Sequence, residues 1–477
     1  MKKNNTSVLK NLIWKFAERI TAQLVTLIVS VILARLLDPS HYGIISIVTI
    51  FITIANVFVS DSFGSALIQK KDADIKDFSS VLYFNIAFSI VLYLLLFILA
   101  PYVSSFYGEG YETLTPVLRV LSLRLILSAI NSVQQAYVSR HMMFQKFFWS
   151  TLLGTVASAI VGIGMAYSGF GVWSLVAQYL TNTTVDTIVL NRILDFRPKL
   201  VFSVQRLKKL VPFGAGILGA KLLITGYQEL RALLIGKIYS SSDLAYYDKG
   251  RQFPNLIVTN IDTSIGAVLF PKMSMQQDNY QQIKETARTS IRFSAFFMCP
   301  MMLGLAAIAE PFVKLVLTEK WLPCVSLMQI FCIVYLFQPI HTANMQAIKA
   351  IGRSDIYLKL EIIKKVIELI CLIAVVRISV DAIVISMAVL TTMFTFINAI
   401  PNTKLLNYKF SEQMRDILPG IVKALVMAVV VYTMNWLKIP TFPLLLMQII
   451  VGTMIYLLLS IITKNAELKY ICGIIKR

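Results

Sequence analysis

The chain has 477 residues, 57% of them hydrophobic and 15% charged, with a mean hydropathy of +0.71. A soluble domain is nearer a quarter charged, so most of this chain is expected to lie in lipid. The formal net charge of +20 sits in no basic domain or RNA-binding motif, which argues against a nucleic-acid partner; cytoplasmic loops of membrane proteins carry such an excess of Lys and Arg.

Crossing a bilayer core takes about 20 residues of helix. By that length the chain is expected to hold about fourteen spans, at 12–36, 43–67, 80–104, 114–138, 147–168, 171–193, 212–236, 244–270, 293–317, 323–347, 357–376, 381–405, 418–437 and 442–463. The first follows a basic start, "MKKNNTSVLK". It is too long for a signal peptide and no A-x-A-like cleavage site follows, so it reads as a retained span. Spans 4, 7 and 8 carry charges, and Pro254 in "KGRQFPNLIV" is expected to kink span 8.

The connecting loops are short and alternate in charge. One set, with "QKKDADIKD", "SRHMMFQK", "NRILDFRPKLVFSVQRLKK" and both termini, holds most of the Lys and Arg. The other, with "DPSHYG", "YGEGYETLTP" and "SGFG", holds Lys237, Lys320, Arg377 and Lys438. The positive-inside rule places the first set, and both chain ends, in the cytoplasm. No loop is long enough for a sizeable water-soluble domain, so the function is expected inside the bundle.

Sliding the chain on itself by about 200 residues aligns polar positions in otherwise apolar helices. "LARLLDPSHYG" falls on "IGKIYSSSDLA" and "SDSFGSALIQKK" on "IDTSIGAVLFPK". Arg35 then meets Lys237, Arg19 meets Lys221 and Asp61 meets Asp262. An offset of six helices keeps both halves in one orientation, and in transporters such halves pack about an axis along the membrane normal with the substrate site at their interface. The expected architecture is all-α: two six-helix lobes, 1–200 and 201–405, in pseudo-twofold arrangement, plus a helix pair and tail over 406–477.

Ionisable groups in hydrocarbon cost from about 2.5 to more than 10 kcal/mol, so each needs a partner, water or a route to the interface. Arg19 taken alone reads equally as an interface anchor or a site residue. Glu18 does not share its helix face, because adjacent residues point about 100° apart. Lys221 lies in a glycine-rich span, "FGAGILGAKLLITGYQELRALLIG", that also carries Glu229 and Arg231. Cations at matched places in the two repeats suit an anionic head group, above all phosphate; the alternative is that both mark span ends. Asp61 and Asp262 read as coupling groups for H+ or Na+, or as carboxylates satisfied by neighbours. Arg119 and Arg124 diverge by about 140° and form no common patch. Glu361, Lys364, Lys365 and Glu368 match i,i+3 and i,i+4 pairing, as interface anchors would.

Five cysteines without a CxxC pair support neither a disulfide framework nor a zinc site, and His41, His141 and His341 lack ligand spacing. No metal and no cofactor is expected. No GxxxxGK[ST] loop occurs, so nucleotide hydrolysis is not expected either.

The stretches "ILARLLDPSHYGIISIVTIF", "ALIQKKD", "VLFPKMSMQQDN" and "EKWLPCVSLMQI", in that order, resemble the polysaccharide-export members of the multidrug/oligosaccharidyl-lipid/polysaccharide superfamily. The similarity is to the O-antigen, colanic acid and teichuronic acid flippase group, over essentially the whole chain. The resemblance implies fourteen helices in two lobes and a cationic central cavity, for which Arg19 and Lys221 are the candidates. It implies a transporter in the bacterial inner membrane, not an enzyme, moving an undecaprenyl-diphosphate-linked oligosaccharide from the cytoplasmic to the outer leaflet. Membrane lipids and polysaccharide polymerase or assembly proteins are the expected partners. Two alternatives are a drug/cation antiporter, which calls for an acidic cavity, and a glycan polymerase or ligase, which calls for a large outer loop.

Overall fold

In lipid a backbone amide has no partner but its own helix or barrel. The computed structural model, which describes residues 2–70 and 72–475, is helical throughout, with no strand among the described residues. In chain order the helices are α1 (Lys2–Leu36), α2 (Pro39–Asn56, prolonged by a π turn Val57–Asp61 and by Ser62–Gln69), α3 (Ile75–Tyr107) and α4 (Leu114–Leu121 and Arg124–Arg140). Then come α5 (Phe144–Tyr167), α6 (Val172–Ile193), α7 (Val204–Ile238) and α8 (Ser241–Met275). The rest are α9 (Tyr280–Ala307 and Ala309–Val316), α10 (Cys324–Leu336 and Gln338–Ala350), α11 (Ser354–Val375), α12 (Val380–Leu405), α13 (Phe410–Thr433), α14 (Thr441–Ile462) and α15 (Ala466–Ile475).

Every expected span is a helix. Among the described residues, 11 are long and apolar enough to cross a membrane. Helices α6 and α11 fall outside that set because their middles are polar: Gln178, Asn182 and Asp186 in α6, and Glu361 to Glu368 in α11. Helix α7 is not in the set either, and its side chains at 212–217 lie outside the described residues. Helix α8 runs without interruption through Pro254 and Pro271. The breaks come elsewhere, between Leu121 and Arg124, at Ile308 and at Phe337.

By contact the chain divides into two units, Met1–Ala245 and Tyr246–Arg477. The boundary expected at residue 200 is a division by repeat, and α7 packs in the first unit against α2 and α3. In that unit α5 and α6 lie closest. A Cβ on Gly154 would stand 3.0 Å from the Asn182 carbonyl oxygen, and one on Gly162 would stand 3.0 Å from the Gln178 Cβ. Small residues one face apart let two backbones approach, as membrane helices need where no hydrophobic force drives them together. The "DPSHYG" loop has a similar purpose. Asp38 precedes Pro39, which sits in the first turn of α2 where its missing N–H costs nothing. Gly43 lies against the start of α8, where a Cβ would stand 1.8 Å from the Ser241 carbonyl oxygen.

The loop end rich in Lys and Arg is tied by one carboxylate. Asp74 and Asp77 form a reciprocal capping box at the start of α3. Asp77, fully buried, also accepts from Lys70 Nζ at 2.7 Å and faces Arg206 at 3.2 Å. Arg140 at the end of α4 donates to the Leu67 and Lys70 carbonyls. Helices α2, α3, α4 and α7 therefore meet at one clamp. Replacing Asp77 by Asn leaves Lys70 without its counter-charge and Arg206 with Asp74 alone, and is expected to cost about 2 kcal/mol. Asp74→Asn keeps the cap, since Asn caps as well as Asp. Thermal unfolding in detergent checks this: the midpoint falls by several degrees for the first variant and much less for the second.

The second unit centres on α9 packed along α13, with α10 against α9 and α12. Its buried large side chains include Trp321, Tyr247, Phe331 and Tyr408. Cys299, Cys324 and Cys332 are buried there as free thiols.

Candidate functional site

Each unit holds a polar cavity inside its helices. The first, about 390 Å³, is lined from α2 by Asn56 and Gly64, from α4 by Arg124, Asn131 and Gln135, and from α6 by Asn182, Thr183 and Asp186. The second, about 360 Å³, is lined from α8 by Asp262, from α10 by Gln338, His341, Thr342 and Lys349, from α11 by Glu361, Lys364, Lys365 and Glu368, and from α12 by Asn398. Six helices separate α2 from α8, α4 from α10 and α6 from α12. The shift read in the sequence thus carries one set of lining helices onto the other.

In the first cavity Arg124 begins the second half of α4, where the helix break turns its side chain toward α6. Its Nε donates to Thr183 Oγ1 at 3.0 Å, and its guanidinium lies 5.4 Å from the Tyr179 ring centre. Asp186 Oδ2 accepts from Asn131 Nδ2 at 2.9 Å, while Oδ1 is buried with no hydrogen-bond partner among the described residues. Arg119 points away, donating to the Phe97 carbonyl at 3.1 Å and stacking on that ring. The two arginines diverge as expected, although a helix break between Leu121 and Arg124, and not their spacing along one helix, sets the angle.

In the second cavity Asp262 is held by neutral groups. Gln338 Nε2 donates to Oδ2 at 3.4 Å and the Thr342 hydroxyl donates to Oδ1. A salt bridge is not what satisfies it. His341 is fixed between α10 and α12: Asn398 Nδ2 lies 2.7 Å from Nδ1, and Nε2 faces the Thr391 carbonyl at 3.2 Å. If Asn398 donates, Nε2 carries the ring proton. Lys364 pairs with Glu361 at 2.6 Å and Lys365 with Glu368 at 3.0 Å, both at i,i+3. The Glu361–Lys364 pair is one of those expected, whereas Glu368 pairs with Lys365 and not with Lys364; beyond the anchoring expected of them, all four line a wall of the cavity.

Of the substrate and coupling candidates that the sequence marks, Asp262 alone lines either cavity among the described residues. Arg19 is half-buried on α1 and Lys221 exposed on α7, both in the first unit. Glu229 and Arg231 are half-buried on α7, and Arg231 Nη2 donates to the Tyr227 hydroxyl at 3.3 Å, one turn back. The backbone of Asp61 closes the π turn of α2; its side chain lies outside the described residues. The glycines of α7 differ among themselves. Gly236 lies against Ile47 and Tyr107, whereas Gly219 and Gly226 have nothing within 4 Å. Arg124, Asp186, His341 and Asn398 line the cavities, and the sequence reading did not mark them as candidates. The signal that could have found them is polar residues recurring on one face of α4, α6, α10 and α12 at helical spacing.

A family model described as polysaccharide biosynthesis protein matches residues 32–326. The chain is 24% identical over 318 residues to the succinoglycan biosynthesis transport protein ExoT of Rhizobium meliloti, a match covering 67% of this chain and 64% of that protein. It is 23% identical to the teichuronic acid biosynthesis protein TuaB of Bacillus subtilis, covering 63% and 62%. With the lipopolysaccharide biosynthesis protein WzxC of Escherichia coli it shares 21%, covering 70% and 68%. The matches thus span somewhat under two thirds of the first two relatives. Among solved structures, the fold is similar to lipid II flippase MurJ in an inward closed conformation, with a TM-score of 0.77, 14% identity and coverage of 95% and 99%. An inward-facing multidrug resistance MATE family transporter follows at 0.60, with 15% identity and coverage of 83% and 96%.

Proposed function

The chain belongs to the polysaccharide biosynthesis protein family, and on that footing we propose that it is a flippase for a lipid-linked oligosaccharide. The substrate is an undecaprenyl-diphosphate-linked glycan, moved from the cytoplasmic to the outer leaflet of the bacterial inner membrane, with both chain ends in the cytoplasm. The observation that supports this best is the pair of charged, polar cavities built on helices one repeat apart in an otherwise apolar bundle. Buried charge in lipid is costly and marks a polar pathway. A glycan needs the polar walls that Asn131, Gln135, Asn182, Gln338 and Asn398 offer, while its prenyl tail stays in the bilayer.

The two-lobe division at 200 and 405 belongs to this reading, with alternating access as the mode of transport. Arg19 and Lys221 are its diphosphate-binding residues, with Glu229 and Arg231 nearby on α7 to set the local charge. The driving force is an H+ or Na+ gradient or the downstream consumption of the flipped glycan. Asp186, with one oxygen unpartnered among the described residues, and Asp262 are carboxylates able to take a proton or a cation. Asp61 stays a candidate through its repeat match. The protein acts as a transporter and not as an enzyme, beside a polymerase that consumes the flipped glycan.

Removal of the protein from its host tests the reading. Lipid-linked repeat units are expected to accumulate on the cytoplasmic leaflet while surface polymer disappears. Repeat units reaching the outer leaflet at the normal rate would sink it.

A further inference from the structure

A second basic place lies away from both polar cavities, where α9, α13, α14 and the start of α15 meet at the Lys/Arg-rich loop end. It is a recess of about 270 Å³ whose charged lining is Arg292, Arg415, Lys423, Lys464, Asp416 and Glu467. Its acids are already engaged. Asp416 accepts from Arg288 at 2.9 and 3.0 Å and from the Tyr408 hydroxyl at 2.7 Å, and Glu467 pairs with Arg292 at 2.7 Å. Arg415, Lys423 and Lys464 remain. Lys423 is only 5% exposed and makes no ion pair or hydrogen bond among the described residues; its ammonium lies 5.8 Å from the centre of the Tyr456 ring. It lies about 20 Å along α13 from Phe410, at 1.5 Å per residue. Glu467, the acid whose charge reaches it, is already paired with Arg292, so a buried cation at such depth calls for a further anion.

The recess continues into an apolar cavity of about 490 Å³, the two sharing Phe296 and Tyr456. Tyr456 is fixed there by donating its hydroxyl to the Phe296 carbonyl at 2.9 Å. The apolar cavity is lined by Met301, Met427, Val431 and Leu457. Of these, Met301 and Leu457 are exposed on helices long and apolar enough to cross a membrane, so a hydrocarbon chain can enter sideways. A cationic pocket that opens onto an apolar channel has the shape of a lipid. Free phosphate would fill only its polar end.

We propose that this place holds an anionic phospholipid of the cytoplasmic leaflet, its phosphate on Lys423, Arg415 and Lys464 and one acyl chain running past Phe296 and Tyr456. Basic pockets between helices on the cytoplasmic side bind such head groups. The bound lipid fills the space between α9 and the α13–α14 pair, and so fixes how that pair sits on α9.

Native mass spectrometry and thermal unfolding of the full chain in neutral detergent test this. Phosphatidylglycerol is expected to remain at one copy per chain and to raise the unfolding midpoint. Phosphatidylcholine with the same acyl chains, and glycerol 3-phosphate, are expected to do neither. Lys423→Met is expected to weaken phosphatidylglycerol binding at least tenfold, and Lys423→Arg to preserve it. If Lys423→Met does not fold, the exposed pair Arg415→Gln and Lys464→Gln must weaken binding instead. Equal retention of phosphatidylcholine, unchanged binding by the folded variants, or a preference for polyprenyl phosphate over phosphatidylglycerol would each overturn the proposal.

Discussion

The double variant Arg19→Ala, Lys221→Ala is expected to keep its fold and to lose transport of a diphosphate-linked glycan by at least about 100-fold. Each charge-assisted hydrogen bond to an anion contributes about 1.5–3 kcal/mol, and 1.4 kcal/mol is a factor of ten. Removing two such bonds together therefore amounts to between about a hundredfold and ten-thousandfold. Stability should change little, because Lys221 is exposed and Arg19 only half-buried. The measurement is initial transport rate beside the unfolding midpoint of the same preparation. Transport within threefold of wild type in a folded double variant removes these residues from the site. Parallel loss in Arg124→Leu alone would move the diphosphate to the first polar cavity.

The largest structural effect is expected at Gly43. A Cβ there would stand 1.8 Å from the Ser241 carbonyl oxygen, with the Ser241 carbonyl carbon at 2.4 Å and Cα at 2.8 Å. All three are backbone atoms, so no side chain can swing aside. Overpacking a core typically costs about 1–3 kcal/mol where side chains yield. Here the start of α2 and the start of α8 have to separate, so Gly43→Ala is expected to exceed that range, above about 3 kcal/mol. Monodisperse yield in detergent reads the outcome: Gly43→Ala should express poorly and aggregate, while Gly164→Ala, with nothing within 4 Å, should behave as wild type. A normal yield and midpoint for Gly43→Ala would mean that α2 and α8 do not approach this closely.

Much of this architecture is written in local pattern. Runs of apolar residues long enough to span a bilayer, separated by short charged loops, mark where each spanning helix lies, since lipid leaves a backbone little choice. Helices α1, α7, α9 and α13 begin well before their apolar runs, where polar first turns hide the helix start. The charged pairs of α11 were legible for a similar reason, because i,i+3 neighbours on a helix touch whatever lies around them. Their role was not. Glu361 and Lys364 become cavity walls only once α8, α10 and α12 surround them, and no spacing within α11 reveals that. His341 is a parallel case: an isolated histidine carries no ligand signal, and its partners Thr391 and Asn398 lie on another helix. Gly43 sits in the first turns of α2, yet the need for glycine comes from Ser241, far along the chain. Asp186 was hidden in a span recognised by its apolar length, where one carboxylate barely changes the average. Polar side chains at matched faces of α4, α6, α10 and α12 were the missed signal.

Reconstitution tests the central claim most directly. Purified chain in liposomes with a polyprenyl-diphosphate oligosaccharide loaded in one leaflet is followed by an impermeant sugar-modifying reagent. The account predicts that the glycan crosses to the opposite leaflet much faster than in protein-free vesicles. It also predicts that a polyprenyl-monophosphate sugar crosses more slowly than the diphosphate. Crossing no faster than in protein-free vesicles, with correctly folded and inserted protein, would contradict it.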